Sequence, residues 1–159
     1  MNYKVAVITS SDKCSKGERE DKSGTIVKDM IGGQPFDIIK YEVIPDEPEM
    51  LKERLIDYSD NLKVDLILTT GGTGLGPRDQ TPQATRAVID RPAPGITEAM
   101  RVMCLPITKR AMLSQGIAGL RGLTLIINLP GSSKGAKESL EAILDELPHA
   151  LRMINGGGH

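Results

Sequence analysis

Tryptophan is absent from this 159-residue chain, and its aromatic rings are limited to Phe36, Tyr3, Tyr41 and Tyr58. A protein that stacks successive bases of a single strand on aromatic side chains needs more rings than these. Charge of one sign is also lacking: 20 Lys+Arg face 21 Asp+Glu, for a formal net charge of −1. That balance excludes a broadly basic nucleic-acid binder. The two histidines, His149 and His159, and the two cysteines, Cys14 and Cys104, are too few for a multi-histidine or cysteine-rich zinc site. Isolated cysteines without metal spacing fit reduced thiols in a cytoplasmic protein. No G-x-S-x-G elbow is present, and His149 sits in the apolar helical stretch Leu147-Pro148-His149-Ala150-Leu151, so it reads as structural rather than as a hydrolase base. No apolar run approaches the roughly 18 residues of a membrane span. The N-terminus reads as a strand without a secretory signal. Carboxylates, backbone amides, hydroxyls and lysines are left to carry any chemistry.

The remaining pattern alternates strands and helices. Tyr3–Thr9 is a β-rich run ending in a polar loop that extends through Asp21, and Ser23–Ile31 reads as a short helix stopped by Gly32-Gly33. Phe36–Ile44 is a second strand. Asp46-Glu47-Pro48-Glu49 has the acidic residue, early proline and following glutamate of a capping box, which makes Asp46 an expected N-cap of a helix reaching about Asn61. Val64–Thr69 is nearly continuously apolar, as a buried parallel strand should be. Thr81-Pro82 is expected to cap and open a helix to about Ile89, and a further helix follows Pro94-Gly95 to about Met103. Gly116–Leu120 and Leu123–Asn128 flank Arg121-Gly122 as an antiparallel hairpin. One final helix carries Leu140, Ile143, Leu144 and Leu147 on a single stripe, and Met100, Met103 and Met112 read as core filler. The expected fold is a three-layer α/β/α domain over residues 1–155, with a mostly parallel mixed sheet, and residues 156–159 form a flexible glycine-rich tail.

Ligands of such sheets bind beyond the carboxyl ends of the strands. Four of those ends are rich in small, hydroxylic or acidic residues: Thr9-Ser10-Ser11-Asp12, Ile44-Pro45-Asp46, Thr69–Gly74 and Asn128–Ser132. In Thr70-Gly71-Gly72-Thr73-Gly74 the glycines permit positive φ and close backbone approach, so the amides could form an anion-binding nest. A tight strand-to-helix turn without ligand accounts for the same residues equally well. No Gly-Lys-Ser/Thr follows for a P-loop, and Pro77 stands where a dinucleotide fingerprint needs its third glycine. Pro130-Gly131-Ser132-Ser133 is a second nest candidate, or a helix cap. Asp79 and Asp46, at neighbouring strand ends, are the pair that could share Mg²⁺, a hard cation that bridges phosphates. Helix-terminus charge and N-cap duty are the bland alternatives. Arg101, Lys109, Arg110, Lys134 and Lys137 supply basic candidates, most of them expected on a solvated face.

Read from Leu68, the stretch LTTGGTGLGPRDQT resembles the Mog/MoaB family of molybdenum cofactor biosynthesis proteins, which includes molybdopterin adenylyltransferase. Further stretches follow in the order the resemblance requires: Ser10-Ser11-Asp12, Gly17–Gly24, Ile44-Pro45-Asp46-Glu47, Thr81–Thr85, Pro94-Gly95, Leu113-Ser114 and Asn128–Ser132. The resemblance implies a molybdopterin-binding α/β domain that assembles as a homotrimer, or in some members a hexamer. It further implies a cytoplasmic, Mg²⁺-dependent nucleotidyltransferase that moves AMP from ATP to the terminal phosphate of molybdopterin and releases pyrophosphate. On this reading Asp46 and Asp79 are the catalytic, Mg²⁺-binding acids. Ser10, Ser11, Thr70, Gly71, Gly72, Thr73, Gly74, Gly131 and Ser132 bind phosphate, nucleotide or pterin, and Ser114 lies near the pterin. The partners are ATP, molybdopterin and other proteins of the pathway, with neither nucleic acid nor membrane. The alternative is a non-catalytic molybdopterin-binding or scaffold protein of the same pathway.

Overall fold

A computed structural model describes residues 2–158. Its strands are β1 (Tyr3–Ser10), β2 (Phe36–Ile44), β3 (Leu66–Thr70), β4 (Arg91–Pro92), β5 (Ala118–Arg121) and β6 (Thr124–Leu129). They form one sheet in the order β2-β1-β3-β6-β5-β4. The first four in that order run parallel, while β5 pairs antiparallel with both β6 and β4. The helices are α1 (Asp12–Ser15), α2 (Lys22–Ile31), α3 (Pro48–Asp60), α4 (Thr81–Val88), α5 (Pro94–Cys104), α6 (Ser133–Ile143) and α7 (Leu147–Ile154).

Both faces of the central strands are apolar, so helices must cover both. Val5, Val7, Leu66, Leu68, Leu125, Ile127 and Leu129 face one cluster, packed by Val27 and Ile31 of α2, Met100 of α5, Leu140 of α6 and Leu151 of α7. The alternate residues Ala6, Ile8, Ile67 and Ile126 face Leu51, Leu55 and Tyr58 of α3 and Ala84 and Val88 of α4. This is the expected three-layer arrangement. None of its described helices is long and apolar enough to cross a membrane.

Several local expectations shift. The hairpin turn is Gly122-Leu123 rather than Arg121-Gly122, because Arg121 pairs with Thr124 and Gly122 takes φ +57°. The single final helix is broken into α6, a 3-10 turn over Leu144–Glu146, and α7. Pro148 explains the break: it lacks an N–H and is accommodated in the first turn of a new helix. The loop after β1 contains the short α1, nucleated by Ser11, whose hydroxyl accepts the Cys14 N–H at 3.2 Å. Met100 is core, but Met103 and Met112 are 56% and 57% exposed. His149 lies in α7, with Nδ1 at 2.7 Å from Arg152 Nη2. The Gly156 and Gly157 amides donate back to Met153 and Arg152 carbonyls of α7, and His159 lies outside the described residues.

Asn128 of β6 joins the layers from within. Its Nδ2 donates to the hydroxyls of Thr69 on β3 and Thr85 on α4, both at 3.0 Å, and its Oδ1 accepts the Ile117 N–H at 3.1 Å. The residue is 1% exposed, so water cannot replace these bonds. Asn128→Ala is expected to cost about 2–4 kcal/mol, since partners on β3, on α4 and just before β5 lose their bonds together. Urea unfolding checks this, and a loss below about 1 kcal/mol would show that the three partners re-pair elsewhere.

Candidate functional site

The chain passes from β1 outward to β2 and then returns to place β3 on the other side of β1. At that reversal the connections leave in opposite directions and open a crevice beyond the carboxyl ends of the strands. A cleft of about 620 Å³ lies there, walled by Ser10 and Ser11 after β1, Asp46 after β2, Gly71 and Gly72 after β3, and Gly131, Ser132 and Ser133 after β6. All four strand ends chosen from sequence therefore meet. The α1–α2 loop and the start of α2 close the side with Arg19, Glu20, Asp21 and Lys22.

The glycine turn is shaped for close approach. Gly71 and Gly72 take φ +96° and +68°, the left-handed region. A Cβ on Gly71 would lie 2.2 Å from the Ser10 carbonyl oxygen, so the β1 and β3 ends could not come together with any larger residue. Two helix N-termini border the same space. Ser132 caps α6, accepting the Gly135 N–H at 3.0 Å, and Asp21 caps α2, accepting the Gly24 N–H at 3.0 Å. Unpaired amides and the helix dipole at such ends favour anions. Arg19 and Lys22 add positive charge.

Asp21 also accepts the Thr9 hydroxyl at 2.7 Å and the Tyr41 hydroxyl, tying α2 to β1 and β2. Burial, reinforced by the adjacent Asp21 carboxylate, pushes the Tyr41 phenol well above its usual range, so it stays a donor. Asp46 is not the N-cap of α3: that position is Glu47, whose side chain makes no capping bond. Freed from that duty, the Asp46 carboxylate accepts the Ser10 hydroxyl at 2.9 Å and the Asp12 N–H at 3.0 Å. Thr81 likewise is the first residue of α4 rather than its cap, which is Gln80.

The other expected site residues lie around the cleft rather than in its wall. Thr70 is buried beneath it and donates to the Pro130 carbonyl at 2.8 Å, holding the β3 and β6 loops together. Thr73 is buried with its hydroxyl 3.4 Å from that of Ser114, and the Gln115 N–H donates to the Thr73 carbonyl at 2.7 Å. Ser114 lines a separate small cavity with Arg101, Gly116, Asn128 and Pro130. Asp79 does not line the cleft; its Oδ2 accepts the Gly76 N–H at 2.8 Å within the loop that continues from the glycine turn.

Residues 6–149 match the protein family described as "Probable molybdopterin binding domain". The chain belongs to that family. It is 38% identical over 154 residues to a molybdopterin adenylyltransferase of Helicobacter pylori strain J99, across 96% of this chain and 88% of the relative. To the molybdopterin adenylyltransferase of Escherichia coli K12 it is 37% identical over 168 residues, across 96% of this chain and 86% of the relative. The crystal structure of the molybdopterin biosynthesis enzyme MoaB from Thermus thermophilus superimposes with a TM-score of 0.92 at 52% identity, covering 97% of each chain.

Within this molybdopterin-binding domain, the basic residues singled out from sequence are not those of the cleft. Arg101 donates to the Ser114 and Gly116 carbonyls at 3.2 and 3.1 Å, and Lys134 lies 3.8 Å from Glu138. The cleft cations come instead from the first half, as Arg19 and Lys22. Their position between Gly17 and Gly24, in a charged loop opening a helix, was the available signal. Arg78 was also missed. Its guanidinium grips Asp12, holding that carboxyl down from an ordinary 3.8 to about 2, with help from the Asp46 N–H.

A carboxylate whose pKa is lower in the folded state stabilises the fold above its unfolded value and loses that contribution as pH falls through the folded one. The Asp12 bonds should therefore contribute constantly above pH ~4 and vanish between about pH 4 and 2. Urea midpoints of wild type and Asp12→Asn are expected to differ by a fixed amount from pH 7 to 5 and to converge toward pH 2. A gap that persists undiminished at pH 2 would refute the assignment.

Proposed function

We propose that this chain is a molybdopterin adenylyltransferase of molybdenum cofactor biosynthesis, transferring AMP from ATP to the terminal phosphate of molybdopterin. The observation that carries this reading is the cleft at the strand-order reversal. Its size, its glycine turn, its two helix N-termini and its cations suit polyanionic ligands, and relatives named for this activity align along nearly the whole chain.

A terminal phosphate oxygen of molybdopterin attacks the α-phosphorus of ATP, a new P–O–P linkage forms, and the bond from the α-phosphorus to the bridging oxygen breaks with release of pyrophosphate. The nucleophile is already an anion, so no histidine base is required. What the chain must supply is alignment of two polyanions and relief of their repulsion. The Gly72 N–H and those at the Ser132–Ser133 end of α6 would donate to phosphate oxygens, the Gly71 N–H being held by the Leu129 carbonyl at 3.3 Å. Arg19 and Lys22 lower the repulsion. Ser10 and Ser11 offer hydroxyls between these groups. Thr70 and Thr73 support the turn from beneath, exposed Gly74 leads from it toward the Asp79 carboxylate, and Ser114 would meet the pterin side through its contact with Thr73.

Among the described residues no three His, Cys, Asp or Glu side chains gather into a metal site. Mg²⁺ typically keeps several waters and takes one or two carboxylates plus substrate phosphates, so the donors here fit an ion carried in on ATP. Asp46 from the cleft wall and Asp79 from the adjacent loop would hold it, both through hard oxygen. When bound it supplies charge neutralisation at the phosphates. The reading places the chain in the cytoplasm.

Exposed apolar side chains gather on α5, the 3-10 turn Lys109–Leu113 and the link between them: Val102, Met103, Ile107, Met112 and Leu113 are 49–66% exposed. A surface of this kind supports self-association, as a homotrimer or a hexamer of two trimers. Light scattering coupled to size-exclusion chromatography should return three or six chain masses, and a single chain mass would exclude both.

The activity is tested by incubating the protein with ATP, Mg²⁺ and freshly prepared molybdopterin and scoring adenylylated pterin and pyrophosphate. Wild type should form both. Asp79→Asn should lower turnover by at least about 100-fold, the scale seen when one transition-state electrostatic contact is lost, with an unchanged unfolding midpoint. Pterin binding without product in wild type would make this a binding protein of the pathway instead.

A further inference from the structure

Arg78 has no assigned role in the transfer, yet its guanidinium makes four hydrogen bonds, two to Asp12 at the start of α1 and two to the Asp46-Glu47 turn. Nε donates to Asp12 Oδ2 at 2.7 Å, and Nη2 reaches Asp12 Oδ1 at 3.1 Å. Nη2 also lies 3.0 Å from both the Asp46 carbonyl oxygen and Glu47 Oε1. The side chain is 55% exposed, so solvent screens its ion pairs and the stability they add is modest. A planar fork that spans two loops nevertheless fixes where those loops stand.

Those loops carry the acid of the cleft. Asp12 and Asp46 exchange hydrogen bonds reciprocally: the Asp12 N–H donates to Asp46 Oδ2 at 3.0 Å, and the Asp46 N–H donates to Asp12 Oδ1 at 2.9 Å. With the Ser10 hydroxyl on Oδ1, two donors set the orientation of the Asp46 carboxylate. One of them belongs to the residue that Arg78 grips. Arg78 also directly precedes Asp79, whose carboxylate is turned onto the Gly76 N–H. One arginine thus adjoins one acid along the chain and is bonded in space to the turn that bears the other.

We propose that Arg78 is a positioning residue, a clasp that sets the Asp46 carboxylate in the cleft and its separation from Asp79; as a role in turnover this rests on the adenylyl-transfer reading. Arg78 does not line the cleft, and its Nε and Nη2 donate to protein acceptors. Lysine would keep the charge but lose the fork, because one ammonium on a flexible stem cannot span the same acceptors. The clasp therefore depends on shape, and charge alone will not restore it.

The test uses the full chain as wild type, Arg78→Lys and Arg78→Gln, with two readouts. Amide hydrogen exchange, in the absence of any ligand, follows Asp12, Asp46 and the β3 amides. Steady-state kinetics with molybdopterin, ATP and Mg²⁺ give kcat and KM. Exchange at the Asp12 and Asp46 amides is expected to speed up about tenfold or more in both variants, with β3 unchanged. Turnover should fall about 10- to 100-fold in kcat, the scale of a small misplacement of reacting groups, with KM for molybdopterin within about twofold. Unchanged protection at both amides would overturn the clasp whatever the kinetics. Wild-type kcat in Arg78→Lys would overturn it too, as would a rise in KM alone, or β3 exchange that accelerates in step. Faster exchange at the two amides in a chain whose wild type forms no product would support the clasp and overturn the transfer reading by itself.

Discussion

The close approach of the β1 and β3 ends governs everything built beyond them. Parallel strands present their carboxyl ends on one side of the sheet, but a crevice opens only where the connections diverge, and here that is between β1 and β3. Gly71 makes the approach possible. Its left-handed backbone turns away from the sheet directly against the Ser10 carbonyl, where no Cβ fits. Thr70 anchors the same turn to the β6 loop through the Pro130 carbonyl. Amides, hydroxyls and helix ends from loops distant in sequence consequently share one space.

Around that turn the site is held by carboxylates that act as connectors. Asp21 joins α2, β1 and β2 through four donors, and Asp12 and Asp46 brace one another through their own amides. Such half-buried carboxylates are kept in place by the hydrogen bonds they accept. Negative charge in a cleft proposed to hold polyanions would oppose binding. Here Asp21 and Asp46 are largely occupied by N–H and O–H donors and Glu20 is exposed to solvent, while the helix ends, Arg19 and Lys22 provide the opposite potential.

Much of the architecture was legible in the residues. The β-rich run Tyr3–Thr9 read as a strand. The nearly continuous apolar stretch Val64–Thr69 read as a buried parallel strand because such a strand is covered on both faces, and the structure places helices on both. β2 begins and ends where its pattern does, and α3 is opened by Pro48 as expected. The convergence of four strand ends was also readable, since small and hydroxylic residues cluster there and a ligand of such a sheet has nowhere else to sit. What failed failed locally. Asp46 has the sequence context of a helix cap, yet tertiary partners on the β1 loop take its carboxylate, and a long-range pairing of that kind leaves no trace in local spacing. The methionine pattern could not separate buried Met100 from exposed Met103 and Met112, because all are apolar and only the packing distinguishes them.

The sequence by itself determined the class of fold through periodicity and pointed to the carboxyl ends of the strands as the candidate ligand-binding end through its glycines and hydroxyls. The kind of chemistry was read from the family resemblance of its motifs. Those properties are local or compositional, so each can be read without knowing which residues meet. Tertiary structure alone decided that Arg19 and Lys22 rather than the second-half lysines face the cleft, that Asp46 is braced by Asp12, and that Arg78 spans both turns. Arg78 and Asp12 are 66 positions apart, and a pairing over that distance is set by strand order and crossover direction, which bring two short loops to the same edge of the sheet.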